Sequence, residues 1–203
     1  DLNLYYNDLT SIEVSKNKNI VNLNLDGNNI ETLDVSQNLK LQNLSCSANR
    51  LTNLNVNGAE SLVTLECIQN GLTNLDVTQN SNLEYLHFYN NQITSIDLSQ
   101  NPKLVILSTD NNPIRNLDVT NNIELKNLTC NNTSLTSLDI SNNINLEELF
   151  CQNNQIESLD LSQKPNFESL WCRSNNLAHL DLSQNPYLKQ IDCASNQLIS
   201  LNV

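Results

Sequence analysis

"LEYLHFYNNQITSIDLSQNPK", residues 83–103, is one copy of a unit that recurs along the chain. It begins at Leu83, and apolar residues stand at the same 21-residue interval in both directions: Ile20, Leu41, Leu62, Leu104, Leu125, Leu146, Phe167 and Leu188. No insertion breaks the series. With that residue as position 1, the unit reads L-x-x-L-x-[L/C]-x-x-N-x-[L/I]-x-x-L-D-[V/L]-[S/T]-x-N-x-x. The chain opens at position 3 of one unit and closes at position 16 of another, which gives eight whole repeats and two partial ones. A fixed period of this length predicts stacked coils, because one coil cannot bury its apolar face alone.

Inside the unit, apolar positions 4 and 6 flank a variable position 5. This is the period-two pattern of a half-buried strand. Positions 14 and 16 flank an acidic position 15 in the same way. Short parallel strands are therefore expected on two sides, at positions 4–6 and opposite them, with little helix. If both sides advance by ~4.8 Å per coil, the array is a weakly curved rod of roughly 45 Å. Asn recurs at position 9, except at Thr133, and at position 19, except at Ala59 and Lys164. A side-chain amide can satisfy backbone groups at a bend, so these columns read as structural ladders.

The first half of the unit resembles the leucine-rich repeat signature L-x-x-L-x-L-x-x-N-x-L. The doubled unit, with L-x-x-L-D-V-S-x-N from position 11, resembles the short nested bacterial class of 21-residue period, the IRREKO type. The resemblance covers the whole chain, 1–203. It implies one right-handed leucine-rich repeat solenoid with a parallel strand in each coil, and leaves the ligand open, since such scaffolds bind many things.

Composition narrows the function. The chain carries 22 acidic and 10 basic residues, a net charge of −12. That charge repels phosphate backbones, so nucleic acid is not an expected partner. No apolar run approaches the ~20 residues of a membrane span, which argues against membrane insertion. The opening "DLNLYYNDLT" has neither the basic start nor the apolar run of a signal peptide. With no methionine anywhere, the chain reads as a processed or excised part of something longer. Its ends carry no polar cap, and open solenoid ends predict end-to-end self-association.

All six cysteines fall at position 6: Cys46, Cys67, Cys130, Cys151, Cys172 and Cys193. Leu4, Leu25, Phe88 and Thr109 share that position, which marks it as core. Free Cys packs like a small hydrophobe. Side-by-side Cβ vectors suit a disulfide poorly, and a line of thiols cannot supply a zinc tetrahedron. Buried, reduced thiols are the expectation. In the triplet Trp171-Cys172-Arg173, alternation turns Cys172 inward and its neighbours outward, so no reactive thiol site forms. His87 faces outward, and His179 precedes the opposite strand. With no Ser-His-Asp order and no glycine-rich phosphate loop, an enzyme and a cofactor are not expected.

Position 15 is Glu13, Asp34, Asp76, Asp97, Asp118, Asp139, Asp160 and Asp181, with Asn55 and Asn202 as exceptions. Such a column needs compensation. The first expectation is hydrogen bonding from Ser or Thr at position 17. The alternative is a row of weak calcium sites.

The outward positions around strand 4–6 are the variable ones. Exposed aromatics on a polar protein mark interaction sites, and Trp, Tyr and Arg are frequent anchors. Tyr85, His87 and Tyr89 form one expected patch, and Phe150, Gln152, Trp171 and Arg173 a second. Between them lie Asp110 and Asn131, with Ser108 and Thr129, as a polar floor ~15–20 Å wide at one strand spacing per coil. The expected function is a non-enzymatic module that binds a protein through this face. Polysaccharide recognition by the same face is the alternative, and a structural or adhesin spacer the third reading. An extracellular or cell-surface location is expected from the resemblance.

Overall fold

A computed structural model describes residues 1–203 as ten stacked coils without a helix. One coil contributes one short strand to a parallel ten-stranded sheet. Its members are β1 (Leu2–Asn3), β2 (Asn22–Asn24), β4 (Asn43–Ser45), β6 (Thr64–Glu66), β7 (Tyr85–His87), β8 (Ile106–Ser108), β9 (Asn127–Thr129), β10 (Glu148–Phe150), β11 (Ser169–Trp171) and β13 (Gln190–Asp192). Each residue pairs with the one 21 places on, as Leu86 does with Leu107 and Phe150 with Trp171. The strand thus occupies positions 3–5, one residue earlier than the apolar pattern suggests. The interstrand hydrogen bonds nonetheless run on past position 5. The Cys46 N–H donates to the Glu66 carbonyl at 2.8 Å, and the Ala48 N–H to the Ile68 carbonyl at 2.8 Å.

Position 8 then bends the chain. In all ten coils this residue is left-handed, with φ between 51° and 67°, from Tyr6 and Gly27 to Ser195. Only Gly27 is a glycine. The other nine carry a conformational cost, against which the ladder bonds and the position 9 amides act. The Asn49 Nδ2 donates to the Leu25 carbonyl at 2.9 Å and to the Cys46 carbonyl at 3.2 Å, and its Oδ1 accepts the Ile30 N–H at 3.0 Å. One side chain ties three backbone groups across two coils. At the exception, the Thr133 hydroxyl donates to the Cys130 carbonyl at 2.7 Å and contacts the Asn154 Oδ1 at 3.0 Å. The position 19 column bonds to the preceding coil: the Asn101 Nδ2 donates to the Val77 and Asn80 carbonyls at 3.0 and 2.9 Å.

The opposite side carries a ladder only towards the two ends. β3 (Thr32–Asp34) pairs with β5 (Asn53–Asn55), and β12 (His179–Asp181) with β14 (Ser200–Asn202). In both pairs an Asp faces an Asn: Asp34 opposite Asn55, and Asp181 opposite Asn202. Asp76, Asp97, Asp118, Asp139 and Asp160 follow one another without an intervening Asn, and no ladder joins these coils. Like charges directly opposite each other oppose strand pairing. The charge pattern alone does not set the extent of the second sheet, however, because Asn55 is followed one coil on by Asp76 and no ladder joins those coils either.

Leu, Ile, Val, Phe and Cys from both sides meet in one continuous cluster of 48 buried residues along the axis. Phe88 and Phe167 fill it in their coils, as their positions 6 and 1 require. No helix is long and apolar enough to cross a membrane. At the last coil Ile199, Leu201 and Val203 are exposed.

Candidate functional site

The outer face of the ten-stranded sheet displays positions 3, 5 and 7. Position 5 forms an unbroken column, Glu66–His87–Ser108–Thr129–Phe150–Trp171–Asp192, each residue directly beside the next. Phe150 and Trp171 meet with ring centroids 5.5 Å apart and planes inclined by 42°. Trp171 remains 39% exposed beside Cys172, which is 0% exposed. Inward and outward alternate as the sequence requires, and the Trp-Cys-Arg triplet holds no shared site. Arg173 is exposed, and Tyr85, His87, Tyr89, Asn131 and Gln152 are half-buried on the same face.

The polar floor is more organised than the sequence suggests. The Asn131 N–H and the Thr129 hydroxyl both donate to the Asp110 carboxylate, the former at 2.6 Å. The Asn131 Oδ1 in turn accepts the Gln152 N–H at 2.7 Å. Four coils earlier, the Ser45 hydroxyl sits 2.8 Å from both Asp26 oxygens and 2.9 Å from Glu66 Oε2. These contacts cross coils, so only the 21-residue register reveals them.

The same register aligns Glu66, His87 and Ser108, a carboxylate, an imidazole and a hydroxyl on adjacent strands. Their order along the chain gives no hint of this. The His87 Nδ1 lies 2.9 Å from the Ser108 Oγ. Burial pulls the His87 pKa below the ordinary imidazole value, and Glu66 partly opposes this. Ser108 is only 8% exposed, so it presents almost no hydroxyl to a substrate.

The other end of the face is concave. A shallow 410 Å³ cavity crosses the first coils, lined by Asn3, Asn22, Asn24, Asn43, Ser45, Thr64 and Glu66 among others. Leu2, Leu23 and Leu44 line it beside these amides and hydroxyls.

The cysteine column is buried from Cys46 to Cys172, with Cys193 half-buried in the last coil, and all six thiols are free. Burial pushes the Cys67 and Cys172 thiols up to about 12 and raises Cys46, Cys130 and Cys151 as well. No three His, Cys, Asp or Glu side chains gather as a metal cluster. In the acidic column, the Ser or Thr two residues on supplies the compensation. The Thr120 N–H and hydroxyl donate to Asp118 at 2.9 and 2.6 Å, and the Ser99 N–H to Asp97 at 2.9 Å. These bonds hold the carboxyls from Asp34 to Asp181 below their ordinary pKa.

Comparison with known proteins agrees with this architecture. The family description "Leucine Rich repeats (2 copies)" matches residues 81–122. The functional domain of InlJ from Listeria monocytogenes, which includes a cysteine ladder, superposes on the whole chain with a TM-score of 0.97 at 34% identity. A leucine-rich repeat protein of Leptospira interrogans covers 97% of the chain with a TM-score of 0.91 at 27% identity. The chain spans 45% and 55% of the lengths of those two structures. An internalin of Listeria monocytogenes covers 98% of the chain, which spans 81% of its length, with a TM-score of 0.61 at 18% identity, a likeness of fold alone. Curated protein sequences give no match. The chain has a leucine-rich repeat fold and is similar to bacterial proteins built on it.

Proposed function

We propose that the chain is a non-enzymatic binding module, of the nested 21-residue class, that recognises a protein partner through the outer face of its ten-stranded sheet. The observation that carries this reading is the Phe150–Trp171 pair. Two large aromatic side chains stand side by side in a column that is otherwise polar from Asn3 to Thr129, and Trp171 keeps 39% of its area in water. Exposed aromatic anchors add affinity to an interface rather than stability to a fold. The binding residues are Tyr85, His87, Tyr89, Asp110, Asn131, Phe150, Gln152, Trp171 and Arg173. An extracellular or cell-surface location accompanies this role.

Polysaccharide recognition is the second reading, favoured by the amide-lined cavity of the first coils. The test is to screen the chain and its Trp171→Ala variant against a displayed peptide and protein library and against a glycan array. Protein ligands lost with Trp171→Ala support the first reading. Glycans alone support the second, and binding untouched by any change on the face leaves a spacer.

A further inference from the structure

The outer sheet face carries a charge pattern that the protein-partner reading does not by itself require. Across the nine coils from Ile20 onward, positions 3, 5 and 7 hold one carboxylate on every second coil and none on the coils between. The series is Asp26, Glu66, Asp110, Glu148 and Asp192; Asp1, at the amino terminus, lies outside it. Every lysine of the chain falls outside these positions, and Arg173 is the one fixed cation there. Beside the face, at position 2, Lys126 and Lys189 are paired with Glu147 and Glu168 at 3.0 and 2.7 Å.

We infer that this face receives an extended, polyproline II-like protein segment with Lys or Arg at every third residue, lying along the solenoid axis across the strands. The inference rests on the protein-partner reading above and specifies its ligand.

Spacing selects the conformation. Adjacent strands lie ~4.8 Å apart, so along the solenoid axis a carboxylate recurs each ~9.6 Å. Across the face the five stand at positions 7, 5, 7, 3 and 5, within ~7 Å of the central column at ~3.3 Å per residue, an offset that long Lys or Arg side chains span. A polyproline II helix has three residues per turn and rises ~3.1 Å per residue, so every third side chain returns to one face after ~9.3 Å. Over the eight coil steps from Asp26 to Asp192 both series reach about 37–38 Å. An extended strand repeats its face every ~6.7 Å and an α-helix every ~5.4 Å, and neither stays in step.

The carboxylates are also prepared for a cation. All five are half-buried against the sheet, and neutral side chains on the intervening coils hold several of them. Ser45 stands between Asp26 and Glu66, Thr129 donates to Asp110, and the Asn127 amide to Glu148. The single Ser45 proton cannot serve two carboxylates at once, so negative charge is left for a ligand. The back column differs, since those Asp side chains are exposed and bonded within their own turns. At one end, Phe150 and Trp171 offer the aromatic surface on which prolines of such a segment pack.

The probe is a labelled (Pro-Pro-Lys)5 peptide, titrated by fluorescence anisotropy at about 0.15 M salt. A peptide of identical composition with its lysines clustered should bind about tenfold more weakly or worse. Glu66→Gln with Asp110→Asn should weaken the spaced peptide about tenfold, while Asp97→Asn with Asp118→Asn, the same charge change on the back, should alter it less than about twofold. Equal affinity for both peptides, equal losses from front and back variants, or no binding overturns the inference. Library ligands that lack spaced cations yet are lost with Trp171→Ala also overturn it and leave the protein-partner reading standing. Glycan ligands without peptide ligands overturn both.

Discussion

Phe150 and Trp171 occupy the same register on adjacent strands, their ring centroids 5.5 Å apart on the outer sheet face, while the adjoining side chains Cys151 and Cys172 are buried beneath. One strand thus presents an anchor to solvent and a packing residue to the core within two consecutive positions. Substitution should separate these roles. Trp171→Ala removes an aromatic contact and part of an exposed surface, an expected loss of about 1 kcal/mol of stability, together with about 2 kcal/mol or more of binding if it anchors the partner. Cys172→Ala should cost about 1 kcal/mol of stability through the small cavity it leaves and spare binding. Denaturant titration and ligand titration on both variants check this. A large stability loss in Trp171→Ala with intact binding contradicts the assignment.

The thiols offer a second check. Burial keeps Cys46, Cys67, Cys130, Cys151 and Cys172 protonated well above neutrality, and the thiolate is the reactive form. Native protein should therefore label slowly at these five positions and completely after unfolding. Cys193, half-buried in the last coil, should react first. Site-resolved mass spectrometry after a timed alkylation reads the order, and fast labelling of Cys130 in the native state would count against a closed core.

The period alone made much of this legible. A residue such as Leu86 or Cys172 is inward in every coil, so one column assigns ten positions at once. The aromatic pair was legible for the same reason, because Phe150 and Trp171 are 21 residues apart. What stayed hidden depends on neighbouring columns. The Ser45 bridge between Asp26 and Glu66 joins position 5 to position 7 of different coils. The interruption of the second sheet was hidden as well, because position 15 recurs in every coil while only the Asp34–Asn55 and Asp181–Asn202 steps carry a ladder and the Asn55–Asp76 step does not. The left-handed residue at position 8 has no single residue type, since Tyr6, Ala48, Gln69 and Asn90 all adopt it.

The acidic column fixes the acid response. Hydrogen bonds from position 17 lower the pKa of Glu13, Asp34, Asp76, Asp97, Asp118, Asp139, Asp160 and Asp181 in the folded chain. A carboxyl whose pKa is lower when folded stabilises the fold above its unfolded value and loses that contribution as pH falls through the folded one. Stability from this column should hold down to the ordinary values of 4.5 for Glu13 and 3.8 for the aspartates, then decline together below them. Thr120→Val removes one donor and should raise the Asp118 pKa toward 3.8, with the backbone bond retained. Carboxyl NMR titration measures it. An unchanged Asp118 would mean that the hydroxyl is not the cause.

Lys164 replaces Asn in the position 19 column and is 1% exposed. Elsewhere in the column the amide ties two carbonyls of the preceding coil, as the Asn143 Nδ2 does with Val119 at 3.0 Å and Asn122 at 2.8 Å. At Lys164 the equivalent carbonyls, Ile140 and Asn143, keep only their turn bonds. The ammonium has one long contact, 3.5 Å to the Ser162 carbonyl. Burial lowers its pKa, opposed by Asp160 and Asp139. A base whose pKa is lower when folded binds fewer protons in the native state, so the contribution of Lys164 to stability rises with pH between the folded value and the ordinary 10.5. Lys164→Asn should restore both amide bonds and remove the buried charge, a gain of about 1–2 kcal/mol at neutral pH. Above the ordinary thiol value of 9.0 the buried cysteines lower the stability of parent and variant alike, so the Lys164 contribution is read as a difference, and the advantage of the variant should shrink as pH rises towards 10.5. Urea unfolding of both proteins at neutral pH and again at a pH just below 10.5 tests both parts. A variant less stable than the parent at neutral pH would show that Lys164 reaches the Asp139–Asp160 gap and neutralises the acidic column from within.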